Sequence, residues 1–263
     1  MTKQMLKNYF NYMKKILLIL AVLALGITTA EAQKLRVMSY NVKNGGGLDG
    51  VKDIKRCGQL VREAQPDVVA VQELDSCTRR NKFYVLDRMA EAAGGYHAYY
   101  GPTIPHGGGK YGIGVLTKEP ALSVEFHRLP CPKEPRGLLV VELPKFYILC
   151  THLSLSEPYR VESVAIIKDV ISKLKNKPVF IAGDMNAKPN SAPIVAFKEY
   201  AQLLTDDTKF TFPSNDPRVC IDYIFGVNGS FKVSKYHVFY DSLYSDHLPI
   251  YIDVKVGKAK QKK

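Results

Sequence analysis

The sequence predicts an α/β protein in which two sheets pack face to face and helices cover their outer surfaces. The main observation is a repeated order of strand, helix, apolar strand and acid, which ends at Glu73 in residues 35–73 and at Asp184 in residues 146–184. Both apolar strands are nearly continuous hydrophobic runs, as in strands that are covered on both faces. Each half therefore places a carboxylate at the carboxyl end of a buried strand, where α/β proteins build ligand sites.

The elements of the first half follow from residue periodicity. Residues 35–42 alternate and are rich in Val and Tyr, which indicates a strand, and residues 51–64 carry apolar side chains on one helical face. Pro66 ends that helix. The remaining predicted elements are a buried strand at 67–74, a helix at about 82–93 that ends at Gly94-Gly95, and a Gly-rich loop at 103–112.

The second half contains strand candidates between residues 113 and 153, whose spacing and turn residues predict an antiparallel meander. Residues 156–175 have the clearest apolar stripe of a helix, and Ser156 is its predicted N-cap. The remaining predicted elements are a buried strand at 177–184, a short helix after Ser191, and three last strands with the sequences VCIDYIF, FKVSKYHVFY and LPIYIDV.

Residues 1–32 have the features of a secretory signal peptide. Two lysines precede the apolar run ILLILAVLALGI, and Ala30-Glu31-Ala32 has the A-x-A form of a cleavage site. The run is too short for a comfortable membrane span, although an uncleaved anchor is the alternative. We therefore expect an exported protein, periplasmic or extracellular, that is cleaved near Ala32/Gln33.

Residues 33–256 are expected to form a single domain, followed by a basic, frayed tail at 257–263. The chain has a formal charge of +12, and removal of residues 1–32 takes away four Lys and one Glu, which leaves about +9. A basic exported protein favours anionic partners such as nucleic acid, anionic lipid or phosphorylated small molecules. The alternative is that the charge serves solubility alone.

The five cysteines do not indicate a zinc site. None lies in a CxxC or Cys/His spacing, and the odd number leaves at least one thiol unpaired, so no disulfide is assigned. Cys150 and Cys220 lie in apolar runs and are expected to be small core residues.

Carboxylates at strand ends are the first candidates for chemistry. Glu73 follows a strongly apolar run and suits a hard metal ion, although a strand that becomes polar as it reaches water explains a lone Glu as well. Gly183 permits a sharp turn, after which Asp184 and Asn186 project on one side and can hold a water and a phosphate oxygen. An Asx turn is the alternative there.

Two histidines and one strand carboxylate are the next candidates. His152 ends the strand FYILC, where a satisfied core histidine is the alternative. Asp222 lies inside a strand, and a buried carboxylate is costly without a partner. His247 of the later SDH can be that partner, although SDH alone would be a capped turn before a strand.

The motifs SYN, QEL, THL, GDMN, IDY and SDH, in this order, resemble the endonuclease/exonuclease/phosphatase superfamily over Leu35 to Val254. Its members share the fold of deoxyribonuclease I and include repair nucleases, neutral sphingomyelinases and inositol polyphosphate 5-phosphatases. The resemblance implies a four-layered α/β/β/α sandwich, in which two mixed sheets pack face to face with helices outside. It also implies a hydrolase that depends on Mg²⁺ or Mn²⁺.

The resemblance implies catalytic roles for five residues. His152 resembles the residue that contacts the scissile phosphate or protonates the leaving oxygen. Asp184 and Asn186 resemble the pair that positions the attacking water and the phosphate. Asp222 resembles the acid that orients His247, and His247 resembles the general base or the stabiliser of the phosphorane.

Further roles follow from the same resemblance. Asn41 and Glu73 resemble the residues that hold the divalent metal, and Asp246 resembles a further carboxylate at or behind that metal. Arg136 and Arg160 follow loops near the proposed rim and are candidates for phosphate contacts, with solvated arginines as the alternative.

Differences from individual branches of the family narrow the range of expected substrates. The segment RVCIDYIF lacks the Trp-Cys-Asp-Arg signature of inositol phosphatases, and a chain without Trp and with short loops differs from membrane-acting sphingomyelinases. Tyr111 in KYGIGVLTK matches a Tyr that repair nucleases often carry, which makes it a substrate-binding candidate. We therefore predict a monomeric, nuclease-like phosphodiesterase without a stable protein partner, for which nucleic acid is favoured over lipid.

Two alternatives stay open on the sequence. One is a phospholipid, sphingomyelin-type or sugar-phosphate hydrolase of the same fold. The other is a binding module that keeps the fold without the activity.

Overall fold

The computed structural model describes residues 33–257, together with helical residues 4–5, 8–10 and 12–15 near the N-terminus. The chain divides into two compact units, residues 1–32 and 33–263. The predicted cleavage site and residues 258–263 of the predicted tail lie outside the described residues. Within the described ranges, no helix is long and apolar enough to cross a membrane.

Residues 33–257 form strands, four α-helices and a 3₁₀ turn at Lys43–Gly45. The strands are β1 (Gln33–Asn41), β2 (Val68–Ser76), β3 (His97–His106), β4 (Gly109–Thr117), β5 (Ser123–Leu129), β6 (Arg136–Glu142), β7 (Tyr147–His152), β8 (Val179–Asp184), β9 (Gln202–Leu203), β10 (Asp222–Val227), β11 (Ser230–Val238) and β12 (Ile250–Gly257). The helices are α1 (Ile54–Ala64), α2 (Val85–Ala92), α3 (Glu157–Lys173) and α4 (Ala192–Lys198).

The strands form two mixed sheets of six, in the orders β11-β12-β1-β2-β4-β3 and β5-β6-β7-β8-β10-β9. Inward side chains of both sheets share one core, in which Val68 and Ala70 of β2 lie with Ile148 of β7 and Phe180 of β8. The alternate residues of the same strands point outward and pack under helices, α1 and α2 on the first sheet and α3 and α4 on the second. This arrangement confirms the predicted four-layered sandwich.

The two predicted halves are two parallel strand pairs, each with a crossover helix. In β1 and β2, Asn41 lies opposite Gln72, next to Glu73. In β7 and β8, His152 lies opposite Asp184, and antiparallel β10 places Asp222 opposite the same Asp184. The strand register therefore gathers these polar residues at one edge of the sandwich before any side-chain contact is considered.

The structure corrects the predicted loop at 103–112. This segment belongs to a β-hairpin of β3 and β4, with Gly107 and Gly108 at its turn, both at positive φ. Its glycines and prolines suggested a loop, but β3 is an edge strand, where Pro102 and Pro105 cost little because one side makes no ladder hydrogen bonds.

The predicted meander over 113–153 is wrong for its first strand. β4 pairs with β2 and β3 in the first sheet, whereas β5, β6 and β7 form an antiparallel meander in the second. The short connection between β4 and β5 looks like a hairpin turn in the sequence, although it carries the chain from one sheet to the other.

Smaller predictions also have clear outcomes. Ser156 is the N-cap residue of α3, as predicted, although its side chain makes no capping hydrogen bond. The side chain of Asp53 caps α1 instead, through the Lys55 N–H at 2.9 Å. All five cysteines are free, and Cys150 and Cys220 are buried as expected. Gly257, assigned to the tail, is the last residue of β12.

We expect Gly183→Ala to damage the fold and the end of β8 together. Gly183 faces Thr151 across the β7–β8 pair at φ 157°, and a Cβ there would lie 1.9 Å from the Thr151 carbonyl oxygen. Overpacking of this kind costs about 1–3 kcal/mol, which thermal denaturation would detect. Activity should fall further than stability because Asp184 is the next residue.

The matched control is Ala182→Gly on the same strand. It loses roughly 0.5–1 kcal/mol through backbone entropy, and somewhat more through its buried methyl, but opens no gap between β7 and β8. If both variants lost the same fraction of activity for each kcal/mol of stability lost, the expected displacement of Asp184 in Gly183→Ala would be contradicted.

Candidate active site

The polar residues that the sequence singled out converge where β1, β2, β7 and β8 end and β10 begins. Five of them are almost fully buried, with exposures of 6% or less: Asn41, His152, Asp184, Asp222 and His247. Low-dielectric surroundings penalise an isolated charge strongly, so these groups must serve one another as partners.

Asp184 is the centre of this cluster. Its Oδ2 lies 3.3 Å from His152 Nε2, 3.6 Å from His247 Nε2 and 3.2 Å from Asn41 Nδ2. Burial raises the pKa of Asp184 to about 7, against the attraction of His247 and with the added repulsion of Asp222. A carboxylate with this environment can exchange a proton near neutral pH.

The turn after Asp184 contains both arrangements considered for GDMN. The Asn186 backbone N–H donates to Asp184 Oδ1 at 2.8 Å, which is an Asx turn, while Oδ2 stays directed into the cluster. The Asn186 side chain donates to the Leu153 carbonyl at 3.0 Å and so ties this turn to the loop after His152. Its contact with a phosphate stays a prediction.

Asp222 and His247 form a buried charge pair. His247 Nδ1 lies 3.0 and 3.3 Å from the two oxygens of Asp222, and Phe212 packs against the imidazole with ring centroids 4.8 Å apart. Burial alone would lower the pKa of His247, but Asp222 and Asp184 outweigh it and raise that pKa to about 10. His247 is therefore an imidazolium at neutral pH, with its Nε2–H on the side of Asp184.

His152 has the opposite electrostatic environment. Burial, Arg136 and His247 together hold its pKa well below the usual value, so the ring is neutral. Arg136 Nη1 lies 3.2 Å from His152 Nδ1 and can only donate, which places the single ring proton on Nε2. This N–H is directed at Asp184, and His152 is thus a fixed neutral donor.

Asn41 and Glu73 lie together on the β1–β2 side of the site. Asn41 Nδ2 donates to Glu73 Oε1 at 3.0 Å and to Asp184 Oδ2 at 3.2 Å, so two carboxylates converge on one neutral amide. Carboxylate and amide oxygens are the ligands that Mg²⁺ prefers, so Glu73 and Asp184 fit a hard divalent cation. Asn41 would join them through Oδ1, which accepts a hydrogen bond from the Lys43 N–H at 3.1 Å. Asp184, Asp222 and His247 also offer ligand atoms within 4.8 Å of one another, but a protonated His247 cannot coordinate a metal.

The backbone at Glu73 is strained. Glu73 has φ 63° and lies in a bulge where the β2–β4 register shifts, between Val71 and Leu74. In a regular strand, side chains alternate between the two faces of the sheet. The bulge interrupts this alternation at Glu73 and directs its half-buried carboxylate into the cluster.

The remaining predicted residues lie around this centre. The Asp246 carboxylate pairs with Lys43 Nζ at 3.0 Å, on the turn after β1. Tyr111 is half-buried, and burial together with the nearby Glu73 raises the pKa of its hydroxyl.

Neither Arg136 nor Arg160 is a solvated arginine, since they are 6% and 9% exposed, which corrects that alternative. Arg160 donates to the carbonyls of Ser154 and Leu155 at 3.1 and 2.7 Å, so it braces the loop after His152. Its direct contact with a substrate stays a prediction.

Sequence reasoning missed the polar loop after β2. Asp75 is buried and accepts hydrogen bonds from Thr78, Arg80 and Asn81, and the Arg79 N–H donates to the Gly107 carbonyl of the β3–β4 turn at 2.7 Å. The available signal was the dense polar run DSCTRRN directly after Glu73. This loop presents Arg79, Arg80 and Lys82 on the surface beside Glu73.

Comparison with known families agrees with this geometry. A family model described as Endonuclease/Exonuclease/phosphatase family matches residues 38–247. No curated protein matches the chain in sequence.

Solved structures with the same fold cover most of the chain. An endonuclease/exonuclease/phosphatase from Beutenbergia cavernae is 26% identical, with a TM-score of 0.72 over 88% of this chain and 73% of that chain. A family protein from Bacteroides thetaiotaomicron is 20% identical, with a TM-score of 0.70 over 87% and 96%. A mannosyl-6-phosphatase from Bacteroides thetaiotaomicron is 21% identical, with a TM-score of 0.70 over 84% and 99%.

Substitutions at Glu73 can separate backbone strain from function. A left-handed φ costs an L-residue roughly 1–2 kcal/mol, whereas glycine adopts it freely. We expect Glu73→Gly to be about 1 kcal/mol more stable than Glu73→Ala in chemical denaturation, while both variants lose the carboxylate. Equal stabilities would show that the bulge relaxes in the alanine variant.

Proposed function

The chain belongs to the endonuclease/exonuclease/phosphatase family of phosphoric ester hydrolases, and we propose that it is an exported, nuclease-like phosphodiesterase that depends on Mg²⁺ or Mn²⁺. The observation that carries the proposal is the buried Asp184 carboxylate between a neutral His152 and a cationic His247. These are the groups that hydrolysis of a phosphodiester requires in one place: a proton acceptor for water, and donors for the charged phosphate oxygens.

In this proposal the catalytic roles are divided among four residues. Asp184 orients the attacking water and accepts its proton. His247, already protonated, donates from Nε2 to the phosphorane and cannot serve as the base, and Asp222 holds its ring in place. His152 donates from Nε2 to a non-bridging or leaving oxygen.

Glu73 and Asn41 would hold the divalent cation, which when bound neutralises negative charge on the phosphate oxygens. Asp246 lies further back, paired with Lys43, where it adds to the charge that His247 experiences.

Charge at the rim supports an extended anionic substrate. Arg79 and Lys82 are exposed on the loop after β2, and Lys110 is exposed at the start of β4. The loop after β2 contacts the β3–β4 turn through the hydrogen bond from the Arg79 N–H to the Gly107 carbonyl. Together with the basic mature chain, these basic residues favour nucleic acid over a neutral or zwitterionic lipid surface.

A sugar phosphate is the second candidate substrate. It is supported by the similarity to the Bacteroides thetaiotaomicron mannosyl-6-phosphatase. A phosphomonoester would use the same Asp184, His152 and His247, but would not need the basic rim.

The direct test is a panel of DNA, RNA, sphingomyelin, a hexose 6-phosphate and a chromogenic phosphodiester, with and without Mg²⁺ or Mn²⁺. We expect turnover of the nucleic acids and of the diester, loss of it with EDTA, and losses of about 10²–10⁴-fold in Asp184→Ala and His247→Ala. Turnover of the hexose phosphate alone would support the second candidate. Undiminished turnover in either variant would contradict the mechanism.

Asp222→Asn tests whether the charge of His247 matters. Loss of the Asp222 charge lowers the pKa of His247, so His247 loses its proton at a lower pH than in the wild type. We expect kcat to fall by roughly 10²–10⁴-fold and the alkaline limb of the pH profile to move to lower pH.

The matched control for Asp222→Asn is Asp253→Asn, which removes a carboxylate paired with Arg36 at 2.6 Å, outside the cluster. It should leave both kcat and the alkaline limb unchanged. An unshifted limb in Asp222→Asn would mean that a group other than His247 governs it.

A further inference from the structure

A cavity of about 570 Å³ lies beside the proposed reaction centre and has no role in the mechanism above. Its walls come from residues 131–136, which lead into β6, and from residues 154–159, which lead from β7 into the first turn of α3. The side chains that line it include Cys131, Pro132, Arg136, Ser154, Leu155 and Tyr159, and we call this cavity the Tyr159 pocket. Its size falls within the roughly 300–1,000 Å³ that small-molecule sites occupy.

Arg136 connects the Tyr159 pocket to the reaction centre. It lines the pocket, and its Nη1 lies 3.2 Å from His152 Nδ1. Its Nη1 is also 3.0 Å from Glu134, but its buried Nε has no hydrogen-bond partner among the described residues. A buried guanidinium with an unused donor calls for an acceptor, and phosphate oxygens suit it by charge and shape.

The outer wall of the pocket is apolar and held in place. Leu155 is 75% exposed, although Arg160 donates to its carbonyl and to that of Ser154 from below. Asn186 fixes the preceding Leu153 carbonyl. This exposed leucine on a braced loop lines the same pocket as Pro132 and the half-buried ring of Tyr159, and the three side chains offer a preformed apolar contact surface.

We propose that the Tyr159 pocket binds the neutral ring of the alcohol that stays on the phosphate when the ester is cleaved, and so sets substrate preference. The phosphate meets Arg136 and His152, while one face of the ring lies on Tyr159 and Leu155. A nucleoside and a hexose both offer this chemistry: a flat or puckered neutral ring with an apolar face and hydroxyl groups. The inference rests on the proposed function, because it requires a phosphate ester at His152.

Kinetics on matched esters test the proposal. The 4-nitrophenyl esters of thymidine 5′-phosphate, of a hexose 6-phosphate and of methyl phosphate share a leaving group and differ in the second alcohol. We expect Tyr159→Ala and Leu155→Ser to lower kcat/KM about 10-fold for at least one ring ester and less than 2-fold for the methyl ester. Which ring ester responds distinguishes the nucleoside from the hexose.

The control variant is Val161→Ala, an exposed apolar residue of the same helix α3 that does not line the pocket. It should leave all three esters unchanged. A loss that is equal for ring and methyl esters, or no loss in either pocket variant, would overturn the proposal.

Occupancy can be measured without turnover through Cys131. This half-buried thiol lines the pocket, and Ser154 Oγ donates to its Sγ at 3.3 Å. Cys77 is exposed and the other three cysteines are buried, so in Cys77→Ser a thiol reagent should modify Cys131 first. Thymidine 5′-phosphate or the hexose 6-phosphate should slow this labelling at least 5-fold more than inorganic phosphate at the same concentration.

The two measurements separate failure of the pocket from failure of the proposed function. Protection of Cys131 by a ring phosphate, with no turnover of any ester in the presence of metal, would contradict the proposed function and keep the ring site. Equal protection by inorganic phosphate, or none by either ring phosphate, would show that the ring does not occupy the pocket.

Discussion

The burial of Asp184 is the constraint on which the rest of the site depends. Its carboxylate is 1% exposed, where an unpaired charge would be strongly disfavoured. His247 supplies the compensating cation and is itself kept charged by Asp222.

Among the described residues, Arg136 is balanced by Glu134 and Lys43 by Asp246, so one imidazolium faces the three carboxylates Glu73, Asp184 and Asp222. That excess of two negative charges matches the charge of a divalent cation. Burial is the main cause of the raised pKa of Asp184, and the neighbouring carboxylates Asp222 and Glu73 raise it further.

Much of the fold and of the site was accessible from the sequence because the relevant signals are local. A carboxylate directly after a buried strand, as at Glu73 and Asp184, identifies a sheet edge without knowledge of the partner strand. The partition of β4 and β5 between two sheets depends on long-range pairing, which spacing does not encode. The neutral state of His152 likewise depends on Arg136, which lies 16 residues earlier on the paired strand β6. The bracing role of Arg160 depends on the path of the loop before α3, whose carbonyls it reaches.

Backbone strain is concentrated where function is proposed. Among the described residues, five of the eight non-glycine residues at positive φ lie in the bulge of β2 or on the turns after β1, β2 and β8: Lys43, Asn44, Glu73, Cys77 and Asn186. Each such residue lowers the folding stability by about 1 kcal/mol, so contacts with the surrounding structure must hold the backbone in these conformations. Hydrogen bonds to the buried Asp75 fix one of them, and the Asx turn at Asp184 fixes another. The well-packed sheets thus provide the stability that holds the turns in conformations that aim polar groups inward.

The two histidines show how one carboxylate can be given two different neighbours. His152 and His247 both direct Nε2 at the same oxygen of Asp184, yet Arg136 at Nδ1 keeps one ring neutral while Asp222 at Nδ1 keeps the other charged. When the surroundings of two titratable groups shift their pKa values in opposite directions, the two groups take different roles in acid–base catalysis. A neutral imidazole does not give up its N–H proton readily, so His152 is suited to binding the phosphate. The cationic His247 can stabilise the negative charge that develops on the phosphate oxygens in the transition state. The base must then be Asp184, because it alone of the three residues can hold an additional proton near neutral pH.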